Sequence, residues 1–388
     1  MDFAIPEELN MLQKSVRRFV KEELMPLERE ILGREGDPTT GRVALPAEEE
    51  NRLSDMVRDM ELWGLGVPEE LGGVGLPALG LCLVEEELAK TVIPFNFGDV
   101  SPILFDCNEA QKSKYLQPVI DGEKRACLAI LEDTGAEPIS MKTTAVRYDG
   151  YYVITGQKIC MAHVTDAGDF AVVFAVTDKE KGRNGGVTCF LVDRGTPGFT
   201  STGGGERVGR HAQVVQPLYM NFDNCRVSVE DILGEEGQAF YLGMKWLPAR
   251  RVVRAARCVG AAERLLDVSK EYAKAWESFG QLMRERPGVQ RALADMSIEL
   301  QAARLLVYHA AWKLDEGEDV LQEAAMVKVY ATEMVERVAD RAIQIHGGPL
   351  YTKNLPLERL CRNAIAANTT EQALDLQRMV IARDLLKY

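Results

Sequence analysis

Paired cysteines are missing from this chain. Its eight cysteines (Cys82, Cys107, Cys127, Cys160, Cys189, Cys225, Cys258 and Cys361) are scattered singly, with no CxxC spacing. That excludes a disulfide scaffold and reads as free, mostly buried thiols in a reducing compartment. The four histidines, His163, His211, His309 and His346, lie too far apart for a zinc motif. No stretch approaches the ~20 apolar residues of a membrane span, and the N-terminus has neither the basic nor the apolar segment of a signal peptide. These absences place the chain in the cytoplasm, off the membrane. There is no block of Lys or Arg, and the net charge is −13, so nucleic acid and anionic membrane surfaces are excluded as partners. What is present, 388 residues with 46% hydrophobic and 27% charged content, suits a soluble protein with room for two or three domains.

Taken in order, residues 1–125 have helical periodicity. Pro6 starts a helix whose Leu9, Leu12, Val16, Phe19, Val20 and Leu24 trace one face before Pro26. A second helix is expected from Pro46 to Trp63, a third over Leu79–Ala89, and a fourth from Asn108 to Gly122. Residues 126–232 switch to period two in "YYVITG", "FAVVFAV" and "VTCFLV", with Asp149-Gly150 signalling a type I′ hairpin. Short strands with regular turn signals predict a small β-barrel or sandwich. The glycines near residues 72–75 and 203–205 follow no strand and precede no GK[ST], so they read as turns. Residues 233–388 return to long helices, the first spanning about Pro248–Ser278 and the last Thr370–Leu386, and predict a four-helix bundle.

The most informative stretch is "RAIQIHGGPLYTKNLPLERLCR" with the helix that follows it. Thr369 or Thr370 suits an N-cap, and Thr369 with Gln372 fits a capping box. Glu371 then falls in the first turn, beside N–H groups without intrahelical partners. Such a carboxylate either complements the helix dipole, the commoner role, or takes a proton next to a carbonyl while the N–H groups hold the oxyanion.

"AIQIHGG", "LPLERLCRNA" and a Glu shortly before "QRMVIAR" resemble the C-terminal signature of the acyl-CoA dehydrogenases. The resemblance extends over the whole chain, through "AQKSKYLQPVIDGEK", "MKTTAVRYDGYYVITGQK", "FDNCRVSVEDILGEEGQAF", "RAARCVGAAERLL" and "LADMSIELQAARLLVYHAAW" in the same order. It implies a mostly α fold with a central small β domain: an N-terminal α-helical domain (1–125), a middle β domain (126–232) and a C-terminal four-helix-bundle domain (233–388). It also implies flavin-dependent α,β-dehydrogenation of an acyl-CoA. Glu371 would remove the α-proton, FAD would take the β-hydride, and an electron-transferring flavoprotein would accept the electrons. The family's cofactor spans subunits, so a homotetramer, or a heterotetramer with a paralogous subunit, is expected.

Position by position, the resemblance places cofactor contacts on Leu131, Ala136, Cys160, Ala162, Trp276, Phe279, Gln344, Gly347, Gly348 and Ala373, and substrate contacts on Arg250 and Arg251. Many of these depart from the family. The "TEPGAGSD" loop corresponds to Leu131-Glu-Asp-Thr-Gly-Ala-Glu137, so that Leu131 and Ala136 replace hydroxyl residues. "W-I-T" is Cys160-Met161-Ala162, the Arg of "R-x-x-F-G" is Trp276, and the Glu-Gly-Thr triplet is Glu371-Gln372-Ala373. Some relatives carry their catalytic Glu where this chain has Arg250, next to the family's Arg at position 251. Arg250 could pair with a carboxylate or other polar acyl tail, neutralise Glu371, or be structural. The lost side-chain contacts imply either weakened or absent FAD binding, or binding kept by backbone N–H donors and compensation elsewhere. The alternative is a flavin-poor subunit of a heteromeric dehydrogenase, or an enzyme of non-oxidative acyl-CoA enolate or elimination chemistry. No metal site is implied.

Overall fold

The computed structural model describes residues 4–33, 45–133, 135, 140–162, 168–182, 185–203, 216–352, 356–367 and 373–386. Helix α1 (Glu7–Phe19) begins after Pro6, with Glu7 and Glu8 in its first turn and Arg17 and Arg18 in its last, each suited to the helix dipole. It does not stop at Pro26 as its sequence suggests. A wide turn (Val20–Leu24) and a tight 3₁₀ turn (Met25–Leu27) carry it into α2 (Glu28–Gly33), whose Ile31 and Leu32 are buried. Pro26 falls in the tight turn, where its missing N–H costs little. Helix α3 (Ala47–Asp59) ends before Trp63, because Glu61 takes a left-handed φ of 58°. Helix α4 (Ala78–Leu88) is largely buried. Asn108 and Gln111 cap each other at the start of α5 (Glu109–Gln111), and a wide turn leads to α6 (Gln117–Ile120).

Seven strands follow: β1 (Ala126–Ala129), β2 (Thr144–Tyr148), β3 (Tyr151–Ala162), β4 (Phe170–Val176), β5 (Val187–Asp193), β6 (Phe199–Gly203) and β7 (Gln216–Ser228). They form one curled sheet ordered β1-β4-β2-β3-β7-β6, with β5 also on β4. The period-two pattern suggests antiparallel pairing, yet β1 and the start of β2 run parallel to β4. All of β4 is buried, because one face meets Tyr115, Leu116 and Ile120 and the other meets Tyr152, Phe190 and Phe222. The β2–β3 hairpin forms at Asp149-Gly150 as expected. Its turn is not type I′, since Gly150 alone takes a positive φ, 77°.

Helix α7 (Ala239–Ala275) is 37 residues long, roughly 55 Å at 1.5 Å per residue. It begins nine residues before the expected start and runs through Pro248. The lost backbone bond is offset by burial of Ala239 and Leu242 against the β domain. It ends at Ala275, three residues short of the expected Ser278. A hairpin of β8 (Glu277–Ser278) and β9 (Gln281–Leu282) leads into α8 (Pro287–Asp315) and α9 (Leu321–His346). Helices α10 (Leu357–Ala367) and α11 (Leu374–Leu386) complete the C-terminal part. Helices α7, α8, α9 and α11 form the bundle, with Val259, Leu265, Met296, Val307 and Val338 in its core.

The N-terminal helices are bound to the bundle by an ionic seam. Glu86 accepts from Arg304 Nη2 at 2.7 Å and from the Tyr308 hydroxyl at 2.8 Å, and Glu85 pairs with Arg257. Burial pushes the Glu86 carboxyl up despite those partners. At the closest approach of α4 and α7, a Cβ on Gly260 would lie 1.9 Å from the Glu86 carbonyl oxygen. Only glycine fits there.

Candidate functional site

The expected contact residues fall into groups set by where α7 begins and ends. At its C-terminal end, Tyr272 stacks on Trp276 at 5.4 Å and lies against His346 at 4.5 Å, joining the ends of α7 and α9. Phe279 and Gly280 form the two-residue turn of the following hairpin, with φ of 55° and 73°. A left-handed aromatic is rare and strained, and this one is 99% exposed. Among the described residues no buried packing accounts for an aromatic residue there. Gln344, Gly347 and Gly348 are also exposed at this end of the bundle. A Cβ added at either glycine meets nothing within 4 Å.

Trp276 and Phe279 thus follow the end of α7, and Gln344, Gly347 and Gly348 lie at the end of α9 that Tyr272 joins to it. Sequence reasoning missed a cation beside Phe279. Arg286 donates to the Ser278 carbonyl and holds its guanidinium 5.8 Å from the Phe279 ring. Exposed aromatic faces, an amide, a guanidinium and open space over two glycines are chemistry that suits a dinucleotide. His346 hydrogen-bonds through Nδ1 to the Ala342 carbonyl at 2.8 Å, and burial lowers its pKa.

Towards the other end of α7, Arg251 is 4% exposed and Arg250 is half-buried, its guanidinium 5.5 Å over the Trp246 ring one turn earlier. The Trp246 indole N–H is buried and has no hydrogen-bond partner among the described residues. Arg250 lies 25 residues before Ala275, the last residue of α7, roughly 38 Å along the axis from the end that Trp276 follows.

The third group lies in the β domain. Leu131 is 40% exposed, and its carbonyl accepts from Ile159 N at 2.8 Å. The backbones of Cys160 and Ala162 pair with Leu218 and Gln216 at the end of β3; their side chains, and all of Ala136, lie outside the described residues. Next to this group is a buried pair that sequence reasoning also missed, Glu132 with Lys158 at 2.9 Å. A signal was available for Lys158, a cation at the end of a strand-like run, whereas Glu132 falls in a stretch that reads as a loop.

Glu371 lies outside the described residues, as do Thr369, Thr370 and Gln372. On either side of them, α10 ends at Ala367 and α11 begins at Leu374. Ala373, exposed and outside the helix, gives its carbonyl to Gln377 N. This corrects the expected helix start at Thr369 or Thr370. The Ala367 carbonyl accepts from Lys328 Nζ at 2.8 Å, and Lys328 is only 2% exposed. That cation on α9 satisfies the negative end of α10. The seven cysteines whose side chains are described are free and buried. No helix among the described residues is long and apolar enough to cross a membrane.

The chain matches the acyl-CoA dehydrogenase N-terminal domain over residues 6–123, the middle domain over 127–225 and the C-terminal domain over 237–386. It is 38% identical to (R)-benzylsuccinyl-CoA dehydrogenase of Thauera aromatica, covering 100% of this chain and 97% of that protein. Among solved structures it resembles butyryl-CoA dehydrogenase from Megasphaera elsdenii, with a TM-score of 0.84 and 30% identity over 100% of both chains. It also resembles the FAD complex of PigA, with a TM-score of 0.87 and 26% identity over 99% of both chains. With all three of its domains present in order, the chain is an oxidoreductase-type protein that belongs to the acyl-CoA dehydrogenase family.

Proposed function

We propose that this protein is a cytoplasmic, FAD-dependent acyl-CoA dehydrogenase in which Glu371 removes the α-proton of the thioester. The observation that carries the reading is the exposed corner of Trp276, Phe279, Gln344, Gly347 and Gly348 in a chain of this family. When bound, FAD supplies the two-electron acceptor for the hydride leaving the β-carbon. The chain's own residues do the rest. The Glu371 carboxylate takes the α-proton, and its backbone N–H, as the resemblance implies, helps hold the thioester oxygen as charge develops there. Leu131, Ala136, Cys160, Ala162 and Ala373 offer the ring backbone groups and apolar surface instead of hydroxyls. Trp276, Phe279, Arg286 and Gln344 hold the adenosine end. The product is a 2,3-enoyl-CoA, and the two electrons pass to an electron-transferring flavoprotein.

The exposed corner argues for an assembly. Trp276 and Phe279 are 50% and 99% exposed, and the resemblance implies a cofactor that spans subunits, so the aromatic corner of one subunit serves the cofactor of another. Exposed Phe279 and Trp276 are then covered in a homotetramer, or in a heterotetramer with a paralogous subunit.

Arg250 bears on the substrate. The relative from Thauera is named for benzylsuccinyl-CoA, an acyl-CoA with a second carboxylate. A half-buried guanidinium one residue before Arg251 suits a carboxylate on the acyl group of this protein's substrate.

The visible spectrum of the purified protein, taken before and after an acyl-CoA mixture is added, tests the proposal. Flavin absorbance that bleaches is expected. In Glu371→Gln, α-proton exchange of bound acyl-CoA should fall by at least about 100-fold; unchanged exchange refutes that role. The apolar residues at positions 131, 136, 162 and 276 favour a second reading, a flavin-poor subunit of a heteromeric dehydrogenase. Colourless protein carrying one thioester ligand per chain would establish that reading instead.

A further inference from the structure

Glu132 and Lys158 form an ion pair inside the β domain, with side chains 5% and 0% exposed. Lys158 donates to Glu132 Oε1 at 2.9 Å and to the Ile130 carbonyl at 3.2 Å. The same carboxylate accepts from Lys142 N at 2.7 Å and from Thr143 N at 3.0 Å. The stretch 133–141 therefore begins and ends on one side chain. Beside the pair, Ile159 N donates to the Leu131 carbonyl at 2.8 Å, bringing the stretch onto β3. Gly156, at φ 149°, lets β3 bulge against Thr143; a Cβ there would lie 2.6 Å from Thr143 Cα.

Two charges buried in this way contribute little to stability that well-packed apolar side chains would not, so what they add is position. The hydrogen bonds join the end of β1, the start of β2 and the second half of β3. Leu131 adjoins Glu132, and Cys160 follows Lys158 by two residues.

We propose that Glu132 and Lys158 are the positioning pair of the flavin site. They hold in register residues 130–133, residues 142–143 and the strand residues 158–162, next to the positions to which the resemblance assigns isoalloxazine contacts. Fixed backbone groups then do what flexible hydroxyls do in relatives. This inference rests on the flavin reading above.

The test is FAD titration of the deflavinated full-length protein, read by flavin fluorescence and visible absorbance, with circular dichroism and thermal melting as fold controls. Glu132→Gln and Lys158→Met each strand one buried partner and are expected to lower the melting temperature. The informative variant is therefore E132M/K158M, which removes both charges and retains bulk. It also removes the acceptor of the Lys142 and Thr143 N–H groups, so it is expected to melt somewhat below wild type. Titrated well below that melting temperature, it is expected to bind FAD at least about tenfold more weakly and to shift the visible band of what it binds. Wild-type affinity and spectrum in the double variant overturn the proposal.

If the double variant does not fold, Glu132→Asp decides. It keeps the charge but shortens the reach, and should weaken FAD binding about fivefold or more; unchanged affinity overturns the proposal. Wild-type protein that takes up no FAD overturns the flavin reading and this inference together. Loaded wild type with unaffected variants overturns this inference alone.

Discussion

The two ends of α7 differ in how complete they are. At the β-domain end, Ala239 and Leu242 are buried in the same cluster as Phe170 and Phe174 of β4, and Arg250 covers Trp246. At the far end, Trp276 is 50% exposed and Phe279 99% exposed, with a strained backbone under the latter. Both ends contain residues of the same types. The first is packed against the β domain at Ala239 and Leu242, although Tyr241 between them is 46% exposed, whereas the second presents Phe279, an aromatic ring that the described residues leave almost wholly uncovered. Strain and exposure together mark a surface kept for a ligand or a second subunit.

The severest way to break this contrast is in the middle of the helix. Gly260→Ala drives a methyl into the backbone of α4 and should destabilise the fold by at least about 1–3 kcal/mol in chemical denaturation. A wild-type midpoint would mean the two helices are not locked together.

Arg250→Met sharpens the comparison at the closed end. It should lower kcat/KM for an acyl-CoA with a second carboxylate by about ten- to a hundredfold, the value of a charge-assisted hydrogen bond of ~1.5–3 kcal/mol. A neutral acyl-CoA of equal length should change by less than about twofold. Equal losses on both substrates would assign Arg250 to the fold.

At the open end, Phe279→Asn relieves an unfavourable φ and should raise the stability of the apo chain by about 0.5–1 kcal/mol. The same change should weaken FAD retention. Effects of the same sign would remove the reason for keeping the strain.

The smallest effect concerns His346. Burial lowers its pKa, so the unfolded chain binds the proton more readily. Stability should be level above pH ~6.5 and fall as the pH drops through that value, by at most ~1.4 kcal/mol per unit. Comparing melting temperatures at pH 7.5 and 5.5 should show this loss in wild type and a smaller one in His346→Gln.

Much of the architecture could be read from residue order. Period-two runs such as "FAVVFAV" and "VTCFLV" became strands, and Asp149-Gly150 made its hairpin. Local pattern was a poorer guide to helix ends. Pro248 reads as a start but lies within α7, because burial of Ala239 and Leu242 outweighs one lost backbone bond. The parallel placement of β1 and β2 on β4 depends on pairings between distant segments, which side-chain alternation does not encode.

By itself the sequence determined the family, the α–β–α order and the residue types at each expected contact, because periodicity and motif spacing are local properties of the chain. Only the tertiary structure decided which of those residues share a corner. It joined the ends of α7 and α9 through Tyr272, stacked on Trp276 and against His346, and set Arg286, which no motif marked, over Phe279. It also paired Glu132 with Lys158 across 26 residues of chain. The reason is physical: an ion pair or an aromatic stack forms between neighbours in space, and helix packing and sheet register choose those neighbours.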